Sequence, residues 1–284
     1  MSRRIRLRVA YDGTAYHGWQ LQQNGNSIEA ELISAIERIL GERVEVIGAS
    51  RTDAGVHSYG NVAVFDTASR IPAEKIRYAL NTALPGDIRV LCSDEVPGDW
   101  HPRHVECRKT YEYRILQAPI PLPDLCRFAH YTYHALDTEA MAAAGKLLCG
   151  EHDYATFCAA GSQAKSTVRT VYDIDLERRA LSPELFSLTP IPPSAGATPG
   201  NAPQPSASPV PQRPPLEPAL ITIRVTGNGF LYNMVRILAG TLTDVGMGRK
   251  TPEQMPGILA SGDRRQAGPT LPPEGLFLMG YEYL

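Results

Sequence analysis

Several features that would place this chain in a membrane or in a disulfide-rich secreted class are missing from its 284 residues. No apolar run approaches the roughly 20 residues that a helix needs to cross a bilayer. The first residues, MSRRIRLRV, lack the apolar core and the small-residue cleavage site of a secretory signal. The five cysteines never form a C-x-x-C pair, which argues against a disulfide framework or a zinc ribbon. We therefore expect a cytoplasmic protein with free thiols.

A large positive charge is missing too. The net charge is −2, which argues against a protein that coats nucleic acid through bulk charge. Basic residues are nevertheless concentrated in two stretches. In residues 2–12 the alternation places one set on a single side of a strand, opposite an apolar side: Arg4, Arg6 and Arg8. The stretch HPRHVECRKTYEYR mixes aromatic residues with a second basic set: Arg103, Arg108, Lys109 and Arg114. This composition suits a surface that follows phosphates and stacks bases, and a solvated sheet face explains it equally well.

The order of the predicted elements indicates an α+β fold. The first hundred or so residues read strand, helix, hairpin, helix and strand, and a second cycle begins at RKTYEYRIL. The clearest helix covers 28–40, where Asn26 or Ser27 is the predicted N-cap and Gly41 the predicted end. We predict two similar α+β sandwich subdomains, residues 1–104 and 105–284, with antiparallel sheets that meet at a central cleft.

One segment does not fit either subdomain. Residues 183–218 contain 12 prolines separated mainly by serine, alanine and glycine, and the charge is very low. Such a composition buries too little apolar surface to offset the entropy lost on ordering. Strand-like sequence resumes on both sides, so we predict a disordered insert between two paired strands.

The stretch GASRTDAGVHSYG, residues 48–60, is polar and rich in glycine, and it lies between strand-like runs at 43–47 and 61–66. This pattern predicts a hairpin loop, which would carry Arg51, Asp53 and His57. Considered alone, Asp53 is explained by an Asx turn that stabilises the hairpin.

A second unusual residue, Arg236, lies in a predicted helix over 230–246. It is the only charged residue between positions 231 and 242, in a sequence that is apolar almost all round. Burying a lone guanidinium is costly unless a carboxylate pairs with it. Asp53 is the candidate partner. In the alternative, Arg236 reaches the surface or pairs with Asp244.

With these residues assembled, the stretch GASRTDAGVHS resembles the G-x-x-R-T-D-A-G-V-H-A signature of the tRNA pseudouridine synthase A family. Six further stretches resemble the family's successive blocks in the same order: YDGTAYHGWQ, ALNTALPGDIRV, HPRHVECRKTYEYRI, HDYATFC, NGFLYNMVRILAGTLTDVG and PPEGLFLMGYEY. The resemblance covers the whole chain apart from the proline-rich insert.

The resemblance implies the pseudouridine synthase fold and an enzyme that isomerises uridine to pseudouridine at positions 38, 39 and 40 of the tRNA anticodon arm. It also implies a homodimer that needs neither a cofactor nor an essential metal. By motif position, Asp53 matches the catalytic nucleophile and Tyr111 the residue that stacks on the target uracil. Arg236 matches the partner of the aspartate, and Arg51 matches the residue that enters the space left by the extruded base. The predicted RNA-binding residues are Arg51, His57, Arg4, Arg6, Arg8, Arg103, Arg108 and Lys109.

The implied reaction explains these residue types. The N1–C1′ bond must break, the uracil must turn, and a C5–C1′ bond must form. A carboxylate with an ordinary pKa of about 3.9 is ionised at neutral pH and can attack a carbon or take a proton. Two other hypotheses stay open: a tRNA-binding protein that folds RNA, and a hydrolase of glycosidic bonds. The hydrolase would need a second acid to activate water, and a binder has no need of Asp53.

Overall fold

The computed structural model describes residues 2–22, 25–187 and 216–284, and its largest feature is a ten-stranded sheet. The strands are β1 (Arg3–Tyr11), β2 (Ile47–Gly48), β3 (His57–Thr67), β4 (Ile88–Val96), β5 (Cys107–Gln117), β6 (His130–Thr132), β7 (Gly150–Asp153), β8 (Val168–Ala180), β9 (Ala219–Gly227) and β10 (Leu276–Tyr283). The α-helices are α1 (Ile28–Leu40), α2 (Ala73–Asn81), α3 (Pro123–Cys126), α4 (Thr138–Lys146), α5 (Met234–Gly246) and α6 (Met255–Ala260). Within the described ranges, no helix combines the length and apolar character that a bilayer crossing requires.

The strand order is β4-β1-β3-β10-β5-β9-β8-β7, with β2 paired to β3 and β6 paired to β5. Strand β10 joins the two predicted halves, because it pairs in parallel with β3 and antiparallel with β5. The halves therefore share one sheet instead of forming two sheets. The mostly antiparallel sheet with its helices confirms the α+β class, whereas the boundary after residue 104 stays a prediction.

Two hydrophobic cores lie along this sheet. In the first, α1 and α2 pack against β1, β3 and β4, with Leu32 of α1 and Leu7 of β1 fully buried. In the second, α4 and α5 pack against β5, β8 and β9, with Leu238 of α5 and Ile223 of β9 fully buried. Val56, which follows the GASRTDAG stretch, belongs to the second core although it lies in the first half of the chain.

Local capping signals predicted α1 correctly. The Ser27 hydroxyl accepts a hydrogen bond from the Ala30 N–H at 3.3 Å, and Gly41 ends the helix in the left-handed region with φ 69°. The predicted helix over 230–246 is wrong at its start, because α5 begins at Met234. Asn233 has φ 58° and turns the chain out of the helical path there.

The predicted hairpin also differs from the structure. Its first strand is reduced to β2, Ile47–Gly48, and its second strand begins at His57, before the predicted start at 61. Residues 43–46 are irregular. The loop that carries Asp53 is therefore residues 49–56, which we call the motif loop.

The proline-rich insert leaves and re-enters the fold at one end of a strand pair, since Ala180 of β8 lies opposite Ala219 of β9. Its first residues, Pro183–Phe186, were predicted to be disordered but form a 3₁₀ helix whose N-cap is Ser182. Phe186 packs against a small buried cluster that includes Leu116, which explains the order. Most of the predicted disordered segment, residues 188–215, lies outside the described residues.

Candidate active site

The motif loop is held in place by the segment after β1. The Trp19 N–H donates to the Thr52 carbonyl at 3.0 Å, and the Gly55 N–H donates to the Tyr16 carbonyl at 3.2 Å. Gly18 allows this approach, because a Cβ at position 18 would lie 2.4 Å from the Thr52 carbonyl oxygen. Its φ of +87° also favours glycine. The resembling stretches YDGTAYHGWQ and GASRTDAGVHS are therefore in direct contact.

A buried amide supports the same loop from the sheet. Asn61 of β3 is fully buried, and its Nδ2 donates to the Ser50 carbonyl at 3.0 Å. Its Oδ1 accepts from the Tyr281 hydroxyl at 2.9 Å. The Tyr11 hydroxyl lies 2.8 Å from Oγ1 of Thr52. These bonds hold the part of the loop that directly precedes Asp53.

Asp53 and Arg236 form an ion pair, as predicted from the cost of burying Arg236 without a carboxylate. Nη1 of Arg236 lies 3.5 Å from Oδ2 of Asp53, and the side chains are 15% and 32% exposed respectively. Two further bonds hold the guanidinium: Nε donates to the Leu271 carbonyl at 2.7 Å, and Nη1 donates to Oδ1 of Asn233 at 2.7 Å. Asp244, the alternative partner, pairs with Arg249 at 3.3 Å.

Two opposed effects set the pKa of Asp53. Burial raises the pKa of this carboxyl above its ordinary value, and the nearby charge and hydrogen bond of Arg236 lower it. The larger effect is burial, so the net shift is upward. The carboxylate is therefore poorly solvated and has one cation beside it, which favours reactivity toward a bound group.

Tyr111 projects from β5 beside this pair. It is 9% exposed, and the edge of its ring packs against Phe230, with centroids 5.2 Å apart and planes at 85°. Burial, with a contribution from the Asp53 charge, raises the pKa of Tyr111 to about 12 despite the opposing contact with Ser50. The phenol is therefore neutral at physiological pH and presents an uncharged aromatic surface.

Asp53 and Tyr111 line one cleft of about 550 Å³. A single carboxylate and four cations are among its lining residues; the cations are Arg51, Arg103, Lys109 and Arg169. Asp53 pairs with Arg236, so none of these four cations is needed to balance it. Arg51 is exposed in the motif loop, two residues from Asp53. The cleft combines a half-buried carboxylate, an aromatic surface and a positively charged lining.

The first-strand arginines lie elsewhere. Arg4 binds the Asp66 carboxylate through two nitrogens at 2.8 and 2.7 Å, and Arg6 binds Asp94 at 3.0 and 2.6 Å. Arg6 and Arg8 line a separate depression of about 490 Å³ that has no lining residue in common with the Asp53 cleft. Arg108 lies in neither lining set and pairs with Glu282 at 3.7 Å.

His57 was predicted to bind RNA, but its position contradicts direct contact because only 1% of the residue is exposed. Its ring stacks on Phe277, with centroids 4.6 Å apart. Its Nδ1 lies 3.1 Å from the Gly13 N–H and 3.2 Å from Oδ1 of Asp12. Burial lowers the pKa of His57. The residue supports the end of the motif loop from inside the protein.

Three residues of the site were not found from the sequence: Asn61, Arg169 and Asn233. Asn233 stands directly before α5 with φ 58°, and asparagine tolerates this left-handed region better than most residues, so its position offered a usable signal. Asn61 and Arg169 offered none, because their place at the site depends on contacts with segments that are distant in the sequence: Asn61 contacts Ser50 and Tyr281, and Arg169 lines the cleft with Asp53.

A family profile described as tRNA pseudouridine synthase matches residues 8–104 and 144–283, which include Asp53 and Arg236. Tyr111 lies in the gap between the two matched ranges.

The chain is also similar over nearly its full length to several curated proteins. It is 40% identical to the tRNA pseudouridine synthase A of Thermoanaerobacter sp. (strain X514) over 281 residues, 99% of this chain and 100% of the relative. It is 39% identical to the tRNA pseudouridine synthase A of Ruminiclostridium cellulolyticum, with the same coverage. It is 40% identical to the tRNA pseudouridine synthase A 2 of Clostridium perfringens, over 97% of this chain and 98% of the relative.

Proposed function

The chain belongs to the tRNA pseudouridine synthase family, whose members isomerise uridine to pseudouridine in tRNA, and we propose that it acts on the anticodon stem-loop. The proposed target positions are 38, 39 and 40. The family is cofactor-independent. The resemblance of the seven sequence blocks supports the choice of position, and the similarity to enzymes named tRNA pseudouridine synthase A supports the reaction.

The contact between Asp53 and Arg236 carries the catalytic part of the proposal. Asp53 acts as the nucleophile in breaking the N1–C1′ bond of the target nucleotide. The detached uracil turns within the cleft, and C5 bonds to C1′ as Asp53 is displaced from that carbon. The proton lost from C5 is balanced by one gained at N1, so the product is an isomer of the substrate. Arg236 keeps Asp53 charged and oriented, because its guanidinium lies 3.5 Å from the carboxylate and is itself fixed by two other acceptors.

Tyr111 and Arg51 hold the extruded base in this proposal. Taking a base out of its stack costs a few kcal/mol, and one aromatic contact returns roughly 1–3 kcal/mol. Tyr111 supplies that contact, while Arg51 occupies the space that the base leaves in the RNA. Arg51 is exposed at the cleft lining, as this role requires.

The remaining proposals concern the RNA surface and the assembly. Arg103 and Lys109 bind RNA from the cleft lining, and Arg4, Arg6, Arg8 and Arg108 bind it outside the cleft. The enzyme acts as a homodimer in the cytoplasm, where its tRNA substrate is found. The resemblance supports the dimer, and size-exclusion chromatography with light scattering tests it.

A tRNA-binding protein with little chemistry is the second candidate function. The basic cleft alone would suit it. The half-buried Asp53 argues against it, because a carboxylate repels RNA phosphates and binding alone does not require one in the cleft.

Pseudouridine formation in an unmodified tRNA transcript separates the two functions. Wild-type protein should convert uridines at positions 38 to 40, whereas Asp53→Asn should bind the transcript and form no product. Asp175→Asn, on the exposed side of β8, is the matched control and should retain activity. Product formation by Asp53→Asn at the wild-type rate would exclude the nucleophile role, and inactivity of the wild type on all tRNAs would favour the binder.

A further inference from the structure

Three of the cations in the cleft, Arg103, Lys109 and Arg169, form a cluster that we call the basic triad. They come from three separate parts of the chain: the loop before β5, β5 itself and the start of β8. All three line the cleft that contains Asp53 and Tyr111. In the part of the chain that the structure describes, none of the three forms an ion pair with a carboxylate.

Backbone contacts hold two members of the triad in place. Nε of Arg103 donates to the Gly48 carbonyl at 2.8 Å, directly before the motif loop. Nη1 of Arg169 donates to the Ser166 and Val168 carbonyls at 2.9 and 2.6 Å. The Arg169 side chain also lies against Gly229, where a Cβ would be 3.6 Å from its Nε. The two guanidinium groups are thus positioned while part of each stays available to a ligand.

Lys109 connects the triad to the catalytic residues. It stands two positions before Tyr111 on β5, so both side chains project from the same face of the strand, about 6.6 Å apart along it. The Lys109 ammonium lies 5.6 Å from the centre of the Tyr281 ring. A phosphate bound at Lys109 would therefore be close enough to belong to the nucleotide whose base stacks on Tyr111, or to the next nucleotide.

The three positive charges of the triad repel one another, and a bound anion would relieve this repulsion. Burial lowers the pKa of Lys109; the nearby Cys107 opposes that shift, and the charges of Arg103 and Arg169 add to it. Basic residues elsewhere on the sheet have carboxylate partners: Arg6 pairs with Asp94, and Arg224 with Glu112. The triad instead places three positive charges in the Asp53 cleft, which an anion can enter.

We propose that Arg103, Lys109 and Arg169 together bind one RNA phosphodiester adjacent to the target uridine. This phosphate subsite rests on the proposed function, because it assumes that a tRNA uridine is bound in the cleft. Turning a nucleotide out of its stack rotates the backbone on either side, and fixing one flanking phosphate retains the extruded geometry while the uracil turns. Two arginine forks and one ammonium suit a phosphodiester, whose oxygens accept several charged hydrogen bonds at once.

The experiment pairs protein variants with neutralised phosphates in the RNA. An anticodon stem-loop that the wild-type protein converts is synthesised with a single methylphosphonate at each phosphate near the target in turn. Binding is measured by fluorescence anisotropy with Asp53→Asn, which prevents turnover, and with Asp53→Asn carrying Lys109→Met or Arg169→Gln. Asp53→Asn with Arg38→Gln, an exposed arginine on α1 outside the cleft, is the charge-matched control.

Neutralising one flanking phosphate should weaken binding to the Asp53→Asn protein about tenfold, the size of a lost charged contact. The same neutralisation should have less than a twofold effect once Lys109 or Arg169 is substituted. Each of these variants should also lower the slope of log Kd against log salt by about 0.7–0.9. Arg38→Gln should leave the phosphate effect intact.

Two results would overturn the subsite. In one, no flanking methylphosphonate weakens binding by more than twofold. In the other, the methylphosphonate effect is the same in the triad variants as in Asp53→Asn. Both results can occur while the wild type forms pseudouridine, so they are distinct from failure of the proposed function, which would appear as no product at all.

Discussion

Nη1 of Arg236 is shared between two acceptors, because it lies 3.5 Å from Oδ2 of Asp53 and donates to Oδ1 of Asn233 at 2.7 Å. The orientation of Arg236 toward the carboxylate therefore depends on Asn233. Asn233 in turn occupies the left-handed region that asparagine tolerates better than most residues.

Substitution of Asn233 should separate its backbone role from its side-chain role. Asn233→Gly keeps φ 58° accessible but removes the acceptor, so kcat should fall about tenfold with little change in Tm. Asn233→Ala adds a backbone cost of about 1–2 kcal/mol and should lower Tm as well. Thermal melts and single-turnover pseudouridine assays measure both effects. Equal activity of Asn233→Gly and the wild type would show that Leu271 alone positions Arg236.

The rate should depend on the ionisation of Asp53. Because burial raises its pKa, activity should decline on acidification at a pH above that expected for an ordinary aspartate. Arg236 lowers this pKa, so Arg236→Met should move the acid limb of the kcat profile to higher pH. Arg249→Met, which removes a cation paired with Asp244, is the control and should not move it. Superimposable profiles for wild type and Arg236→Met would contradict the coupling.

The same shift predicts a change in stability. A carboxyl whose folded pKa is raised stabilises the fold below its unfolded pKa and loses that contribution as pH rises through the folded pKa. Ionised Asp53 therefore opposes folding at neutral pH. Asp53→Asn should become more stable relative to the wild type as pH rises from acid to 7, although it leaves the mostly buried Arg236 without a carboxylate at every pH. Urea unfolding at several pH values measures the difference. A difference in stability that is the same at every pH would contradict the raised pKa of Asp53.

Gly18 should be intolerant of a methyl group. Gly18→Ala combines a positive φ with a Cβ 2.4 Å from the Thr52 carbonyl oxygen, so the motif loop must shift. We expect pseudouridine formation to fall at least tenfold, because a displacement of about 1 Å at a catalytic group can cost a hundredfold. Gly98→Ala, where nothing lies within 4 Å of the added Cβ, is the matched control. Normal activity of Gly18→Ala would show that the loop position is not critical.

Tyr111 should act through its ring more than through its hydroxyl. Tyr111→Phe keeps the aromatic surface and should retain most activity, whereas Tyr111→Leu should lose about 1–3 kcal/mol of base contact. Since the pKa of Tyr111 is raised to about 12, its ionisation should not affect the rate below pH 10. A collapse of activity in Tyr111→Phe would assign chemistry to the phenol.

The sequence was most informative where one local interaction decides the structure. Helix α1 follows from its apolar stripe, Ser27 and Gly41, and all three signals lie within the segment itself. The Arg236 partner followed from a strong energetic constraint, because a mostly buried guanidinium requires a carboxylate. The start of α5 was mispredicted because Phe230 and Leu231 continue the apolar pattern, although they contribute to the cleft lining instead.

The remaining features depend on distant contacts that a single sequence does not encode locally. His57 is polar and follows a glycine-rich stretch, which suggests exposure. Its burial depends on Phe277 and on the Gly13 N–H. The basic triad likewise becomes apparent only when β8 is placed near β5. The motif residues could thus be identified in advance, but not the groups that surround them.

The position of β10 has a consequence for the order in which the protein is made. This strand follows every other strand in the sequence, yet β3 and β5 both pair with it. On the ribosome, the parts of these strands that pair with β10, residues 57–58 of β3 and 107–113 of β5, stay unpaired on that edge until residues 276–283 emerge, and such edges can pair with other chains. An interrupted translation product lacks the strand that joins its two halves. Such a product also lacks Leu276 of the cleft lining, so we expect pseudouridine formation to require the finished chain.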